Sequence, residues 1–177
     1  AALCKMAQVP VGLAQLQALI DALPQLALEQ ANEQGAVLRE PMGVAALITA
    51  WNWPYVLMTA KLGAALAAGC TVVIKPSEFS PHSAQVFAEV LQAAGVPAGV
   101  FNLVQGDGAV GAQLCAHPQV DMVSFTGSTR AGVQVAQAAA PTVKRVAQEL
   151  GGKSPLVILP DANLQDAVVF GVKQVVM

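Results

Sequence analysis

VAALITAWNWPYVLMTAKLGAALAAGCTVVIKP, residues 44–76, decides the fold. Val44–Thr49 is a short apolar run that suits a buried strand. Tyr55–Ala68 is apolar nearly all round apart from Lys61, the pattern of a buried helix, and Gly69 closes it. Thr71–Ile74 is a second apolar strand, ended by Lys75-Pro76. A strand, a buried helix and a second strand in this order predict parallel strands joined by a right-handed crossover.

The pattern continues downstream. Ser83–Ala94 reads as a helix with Val86, Phe87, Val90 and Leu91 on one face. Val100–Val104 is a third strand and Val110–Ala116 a short helix. Asp121–Phe125, Ala131–Ala140 and Val143–Glu149 complete the series as strand, helix and strand. The expectation is an α/β fold, a parallel sheet with helices on both faces. After Gly151-Gly152 the pattern restarts, with Pro155–Leu159 expected as a strand and Asp161 to Met177 as the start of a helix. A domain boundary is placed there. Upstream, Leu13, Leu16, Ile20 and Leu23 recur at helical spacing with Gln15 and Asp21 off the stripe. Ala31 to Glu40 reads as a turn leading into a short strand, Val37–Arg39.

Composition narrows the function. The chain is 55% hydrophobic and 11% charged, with a net charge of −2. It carries no Lys/Arg cluster long enough to track a phosphate backbone, which argues against nucleic acid. The three cysteines, Cys4, Cys70 and Cys115, are odd in number and widely spaced. That argues against a disulfide framework or zinc site and fits a reducing cytoplasm. His82 and His117 form no metal-ligand spacing, so no metal is expected. No signal peptide opens the chain, and Ala1 is not a natural initiator, so sequence upstream is expected. Pro41–Ala60 is uncharged and long enough to span a bilayer. Asn52 and Pro54 in its middle, and its strand-like and helix-like halves, fit a soluble core better.

In parallel sheets ligands bind beyond the carboxyl ends of the strands. Every such end here carries a Gly, a charge or a carboxamide. Gly106-Asp107-Gly108-Ala109-Val110-Gly111 matches G-x-G-x-x-G after a strand and before a helix, as a dinucleotide pyrophosphate cradle or an ordinary glycine turn would. Phe125-Thr126-Gly127-Ser128-Thr129 competes for that role. Its alternative is a plain Ser N-cap. Lys75 and Glu78 can hold a ribose, or be a solvated loop pair. Glu149, beside two glycines, can swing as a general base, or pair with Lys144 or Arg145. Asn52, between two tryptophans, can stabilise an oxyanion, or be a turn residue held by aromatic packing. Cys70 enters an apolar strand, and Cys4 and Cys115 sit in helices with no base nearby in sequence. All three read as inert.

Together these segments resemble the aldehyde dehydrogenase superfamily. The matching stretches are Pro41–Val44, Ile48-Thr49-Ala50-Trp51-Asn52-Trp53-Pro54, Ala67–Glu78, Ala94–Asn102, Val123–Thr129 and Glu149-Leu150-Gly151-Gly152-Lys153-Ser154-Pro155. They occur in the family's order and spacing over essentially the whole chain. Ala50 and Ala64 depart from it, standing where most members carry proline.

The resemblance implies a Rossmann-like NAD(P)-binding domain at 1–151, with 31–40 in an arm through which subunits associate. Residues 152–177 would begin a truncated catalytic domain. Catalytic roles fall to Glu149 as general base and Asn52 in the oxyanion hole. The cofactor, NAD with NADP possible, would be held by Ile48, Thr49, Trp51, Lys75, Ser77, Glu78, Gly108, Gly111, Phe125, Gly127, Ser128, Leu150 and Gly151. Among these, Lys75 and Glu78 would hold the adenosine ribose, and Ser128 and Trp51 the pyrophosphate. Gly108 and Gly111 would line the adenine side. Trp53, Val56 and Leu57 would face a substrate tunnel, and Lys61 would support the site. The implied reaction is oxidation of an aldehyde to an acid by a homo-oligomeric parent enzyme. Its nucleophilic cysteine would lie beyond Met177. The competing expectation is a nucleotide-binding or interaction module without catalysis.

Overall fold

The structure, a computed structural model, describes residues 4–176. Ala1–Leu3 and Met177, which the expected domain ranges include, lie outside the described residues.

Five parallel strands form the central sheet: β3 (Val44–Ile48), β4 (Thr71–Lys75), β5 (Phe101–Leu103), β6 (Met122–Gly127) and β7 (Arg145–Leu150), in the spatial order β5-β4-β3-β6-β7. The chain runs outward from β3 to β5, then crosses back to place β6 on the other side of β3. That reversal is the switch point at which such sheets open a crevice. Strand alternation sorts β3 between two cores. Ala45 and Leu47 join Met58, Leu62, Val72, Ile74 and Phe87 on the face covered by α2 (Pro54–Ala67) and α3 (Pro81–Ala93). Ala46 and Ile48 join Cys115, Val123, Phe125 and Val135 on the face covered by α4 (Gly108–Ala116) and α5 (Thr129–Ala139).

The uncharged stretch 41–60 thus resolves into β3 and the first half of α2. Among the described residues no helix is long and apolar enough to cross a membrane. α2 ends where expected: Gly69 takes φ +76°, a left-handed turn that a side chain would strain.

Four local expectations need correction. α1 (Val9–Ala22) packs on α2 through Gly12, Gln15, Leu16 and Leu19, while Leu13, Ile20 and Leu23 stay exposed. Gln15 lies on the packed side because its Oε1 accepts from the buried Thr59 hydroxyl at 2.8 Å. On α3, Phe87 is buried and Leu91 half-buried, but Val86 and Val90 face solvent. The polar segment before Val37 is itself a strand: β1 (Glu29–Asn32) pairs antiparallel with β2 (Gly35–Leu38), around a turn at Glu33-Gln34. Pro155–Leu159 forms no strand, since no strand among the described residues pairs with it. Residues 151–163 contain no helix or strand, and α6 (Leu164–Val176) follows.

Candidate active site

The carboxyl ends of the strands open into one cleft of about 750 Å³. Ile48, Thr49, Trp51 and Asn52 enter it from the end of β3. Lys75, Ser77 and Glu78 follow β4, and Gly108 and Gly111 come from α4. Phe125, Gly127 and Ser128 come from the end of β6 and the start of α5, and Glu149, Leu150 and Gly151 from the end of β7. Both residues expected to be catalytic and all thirteen expected to hold the cofactor therefore border a single cavity.

Lys75 is not the solvated loop residue that its sequence context allows. It is buried, donates from Nζ to the Pro76 carbonyl at 2.8 Å, and lies 3.8 Å from the half-exposed Glu78 carboxylate. Burial pushes its ammonium below the ordinary lysine range, against the attraction of Glu78 and Asp107. Ser77 accepts the Phe79 backbone N–H at 3.3 Å and so shapes the turn that presents Glu78. Thr49 Oγ1 is buried at the cleft with no protein partner, an orphan that a polar ligand would satisfy.

Both phosphate candidates sit at helix starts. Asp107 caps α4, its carboxylate accepting from Ala109 N at 2.9 Å, so the G-x-G-x-x-G turn already contains an anion. Ser128 caps α5, its hydroxyl accepting from Ala131 N at 3.2 Å. The plain N-cap is thus present, and the Ser128 hydroxyl proton is still available to donate into the cleft. A second anion is more easily held at α5, where no carboxylate occupies the helix start.

Glu149 borders the same cleft from the end of β7. Among the described residues it makes no ion pair, so the expected alternative of pairing with Lys144 or Arg145 is not formed; Lys144 donates to Thr142 instead. The Glu149 charge acts on Lys61 of α2. Lys61 donates to Ser124 Oγ at 2.8 Å, and burial pushes its ammonium down while Glu149 pulls it partly back up. Asn52 is exposed at the rim, followed by Trp53 in a left-handed conformation, φ 52° and ψ 45°. Such a backbone costs about 1–3 kcal/mol for a side chain other than glycine, and strain of this kind concentrates at functional sites. Trp53, Val56 and Leu57 are half-buried and do not border the cleft.

The three cysteines sit in different settings. Cys70 is buried, and Cys4 is exposed away from the cleft. Cys115 borders the cleft but is fully buried, and burial pushes its thiol up. No cluster of metal-ligating side chains occurs among the described residues. Sequence reasoning missed Phe79, Ala112, Arg130 and Gln134 in the lining. Arg130 had a signal: a cation in the first turn of a helix opposes the dipole and calls for an anionic neighbour.

The aldehyde dehydrogenase family model matches residues 4–177. The chain is 55% identical over 171 residues to a 3-succinoylsemialdehyde-pyridine dehydrogenase from a Pseudomonas species, covering 96% of this chain and 36% of that protein. Aldehyde dehydrogenase C from Pseudomonas syringae, solved as a variant in complex with NAD+ and octanal, superposes with a TM-score of 0.94 at 54% identity, over 97% of this chain and 36% of that one. An aldehyde dehydrogenase from Bacillus cereus, solved with NAD+, gives 0.89 at 36% identity, over 94% of this chain and 35% of that one. This chain therefore spans little more than a third of these relatives, and it belongs to the aldehyde dehydrogenase family.

Proposed function

We propose that this chain is the cofactor-binding part of a longer enzyme that oxidises an aldehyde to a carboxylic acid with NAD, or with NADP less well. The observation that carries it is the convergence of Asn52, Glu149 and the ribose and phosphate candidates on one cleft. Residues 1–151 form the NAD(P)-binding domain and 152–177 open the catalytic one. None of the three cysteines suits nucleophilic attack, so the nucleophile belongs to sequence other than these 177 residues, and the chain alone is inactive. The exposed hairpin β1–β2, with Val37 and Leu38 facing solvent, serves as the arm through which subunits associate as a homo-oligomer. The compartment is the cytoplasm.

Each side chain has a task. Lys75 donates and Glu78 accepts at the adenosine ribose. Ser128 donates to the pyrophosphate with the α5 backbone behind it, and Trp51 lies alongside. Gly108 and Gly111 line the adenine side, and Ile48 and Phe125 contact the cofactor from the strand ends. The orphan Thr49 hydroxyl fits a polar ligand here. When bound, the nicotinamide cofactor supplies a hydride acceptor. Asn52 donates from its carboxamide to the carbonyl oxygen as negative charge develops there. Glu149, unpaired and beside Gly151-Gly152, takes a proton from the nucleophile or from the water that releases the acid.

The test is Glu149→Gln in the full-length enzyme. It keeps the size and removes the base. kcat should fall by about 10²–10⁴-fold, with NAD affinity and thermal stability nearly unchanged. A fully active Glu149→Gln enzyme would sink the proposal. Retained NAD binding with no aldehyde turnover in the wild-type protein would favour a binding module instead.

A further inference from the structure

Among the described residues β7 lies at one edge of the five-stranded sheet, and its backbone ladder pairs with β6 alone. Yet its last residues carry Glu149. Two side chains supply the missing restraint. Gln148 Nε2 donates to the carbonyl of Gly132, in the first turn of α5, at 2.6 Å. Leu150 presses on the same residue: a Cβ at Gly132 would stand 2.6 Å from Leu150 Cδ2 and 3.4 Å from Gln148 Oε1. α5 reaches β7 this closely because position 132 has no side chain.

Strand alternation completes the geometry. Gln148 and Leu150 point toward α5, so Glu149 between them points to the other face. There it pairs in register with Thr126, on the side where Lys61 is held by Ser124. Glu149 is therefore flanked before and after by side chains that grip one glycine. The gripped helix is the one whose start carries Ser128. We propose that Gln148 and Gly132 form a positioning clamp that fixes Glu149 relative to the cofactor cleft. The clamp rests on the general-base role given to Glu149 above.

The test uses the full-length enzyme and three variants. Gln148→Met keeps the stem and deletes the donor. Gln148→Lys keeps an N–H donor at similar reach. Glu149→Gln reports on the base itself. A misplacement of 1 Å costs roughly 100-fold in rate, and a half-buried clamp lost from one side should allow less. For Gln148→Met the expectation is a fall in kcat of about tenfold, with the KM for NAD changed less than twofold. Gln148→Lys should recover most of the loss. NAD binding by fluorescence quenching confirms that each variant is folded. Unchanged kcat in Gln148→Met overturns the clamp. So does a loss in which kcat, KM for NAD and melting temperature all deteriorate and lysine rescues nothing, because that marks a general structural role. If Glu149→Gln keeps full kcat, the base assignment fails first and the clamp fails with it.

Discussion

Glu78→Gln isolates the charge that should choose between NAD and NADP. The Glu78 carboxylate is 46% exposed and lies 3.8 Å from the Lys75 ammonium. In the role proposed for it, it accepts from the ribose 2′-hydroxyl of NAD. A hydrogen bond to a charged acceptor contributes about 1.5–3 kcal/mol and a neutral one about 0.5–1.5. Glutamine keeps an acceptor oxygen, so the loss is about 1 kcal/mol, or roughly fivefold in Kd. With NADP the sign reverses. Two like charges 4 Å apart repel by about 1 kcal/mol in water and about 4 at an effective dielectric constant of 20. Half-exposure and the adjacent Lys75 place Glu78 near the aqueous end, so relief of about 1.4 kcal/mol for the whole 2′-phosphate, or tenfold, is expected. The preference for NAD over NADP should therefore shrink by about 50-fold. Titration calorimetry on the full-length protein with each cofactor measures it. High salt should shrink the NADP effect more than the NAD effect, because it screens the repulsion. Wild-type protein that binds NADP as tightly as NAD, or a preference unmoved by Glu78→Gln, would refute the reasoning.

The pH dependence of stability offers another check. Burial holds the Lys61 and Lys75 ammonium groups below their ordinary 10.5. Between those depressed values and 10.5 the folded chain binds fewer protons than the unfolded one, so both groups make stability rise with pH across that window. Lys61→Met should make the rise shallower and leave the share due to Lys75. Unfolding midpoints of the two proteins across the alkaline range give the difference, and a constant difference contradicts it. Gly12→Ala should destabilise despite the better helix propensity of alanine, because its Cβ would stand 2.6 Å from the Tyr55 ring, which packs edge-on against Phe87. Overpacking costs about 1–3 kcal/mol against roughly 1 gained from propensity. A higher melting temperature for this variant would show that Tyr55 yields freely.

The centre of the parallel sheet was legible because β3 and β4 are buried on both faces and so appear as short apolar runs. Val44–Ile48 and Thr71–Lys75 need no partner to be recognised. The hairpin strand Glu29–Asn32 was hidden, since its residues are exposed and polar and only its register with Gly35–Leu38 makes it a strand. Pro155–Leu159 failed in the opposite way: it has the apolar run without the ladder. The cleft lining was legible because topology places strand ends together once the strands are found. Side-chain partnerships across the sheet were not. Lys61 meets Ser124 across 63 residues, and Gln148 meets Gly132 across 16. The left-handed backbone at Trp53 has no local signature either, because the residue before a proline is ordinarily extended.

The reversal of strand order at β3 also governs how the molecule is assembled. Val44 donates its N–H to the Asp121 carboxylate at 2.8 Å, a bond that spans 77 residues of chain and marks where β6 joins β3. The unit from β3 to β5 gathers its contacts from near neighbours. Docking β6 requires one long loop closure first, the slower kind of step. Lys75 and Glu78 stand on the early side of that seam, and Ser128 and Glu149 on the late side. A half-assembled chain therefore has Lys75 and Glu78 in place without Ser128 and Glu149, and the cleft they share exists only when both sides are docked. A cofactor that grips both sides would bind the finished fold and not its precursors, and would stabilise it by about 2.7 kcal/mol at a hundredfold excess over Kd. Competence to bind and completion of folding become the same event.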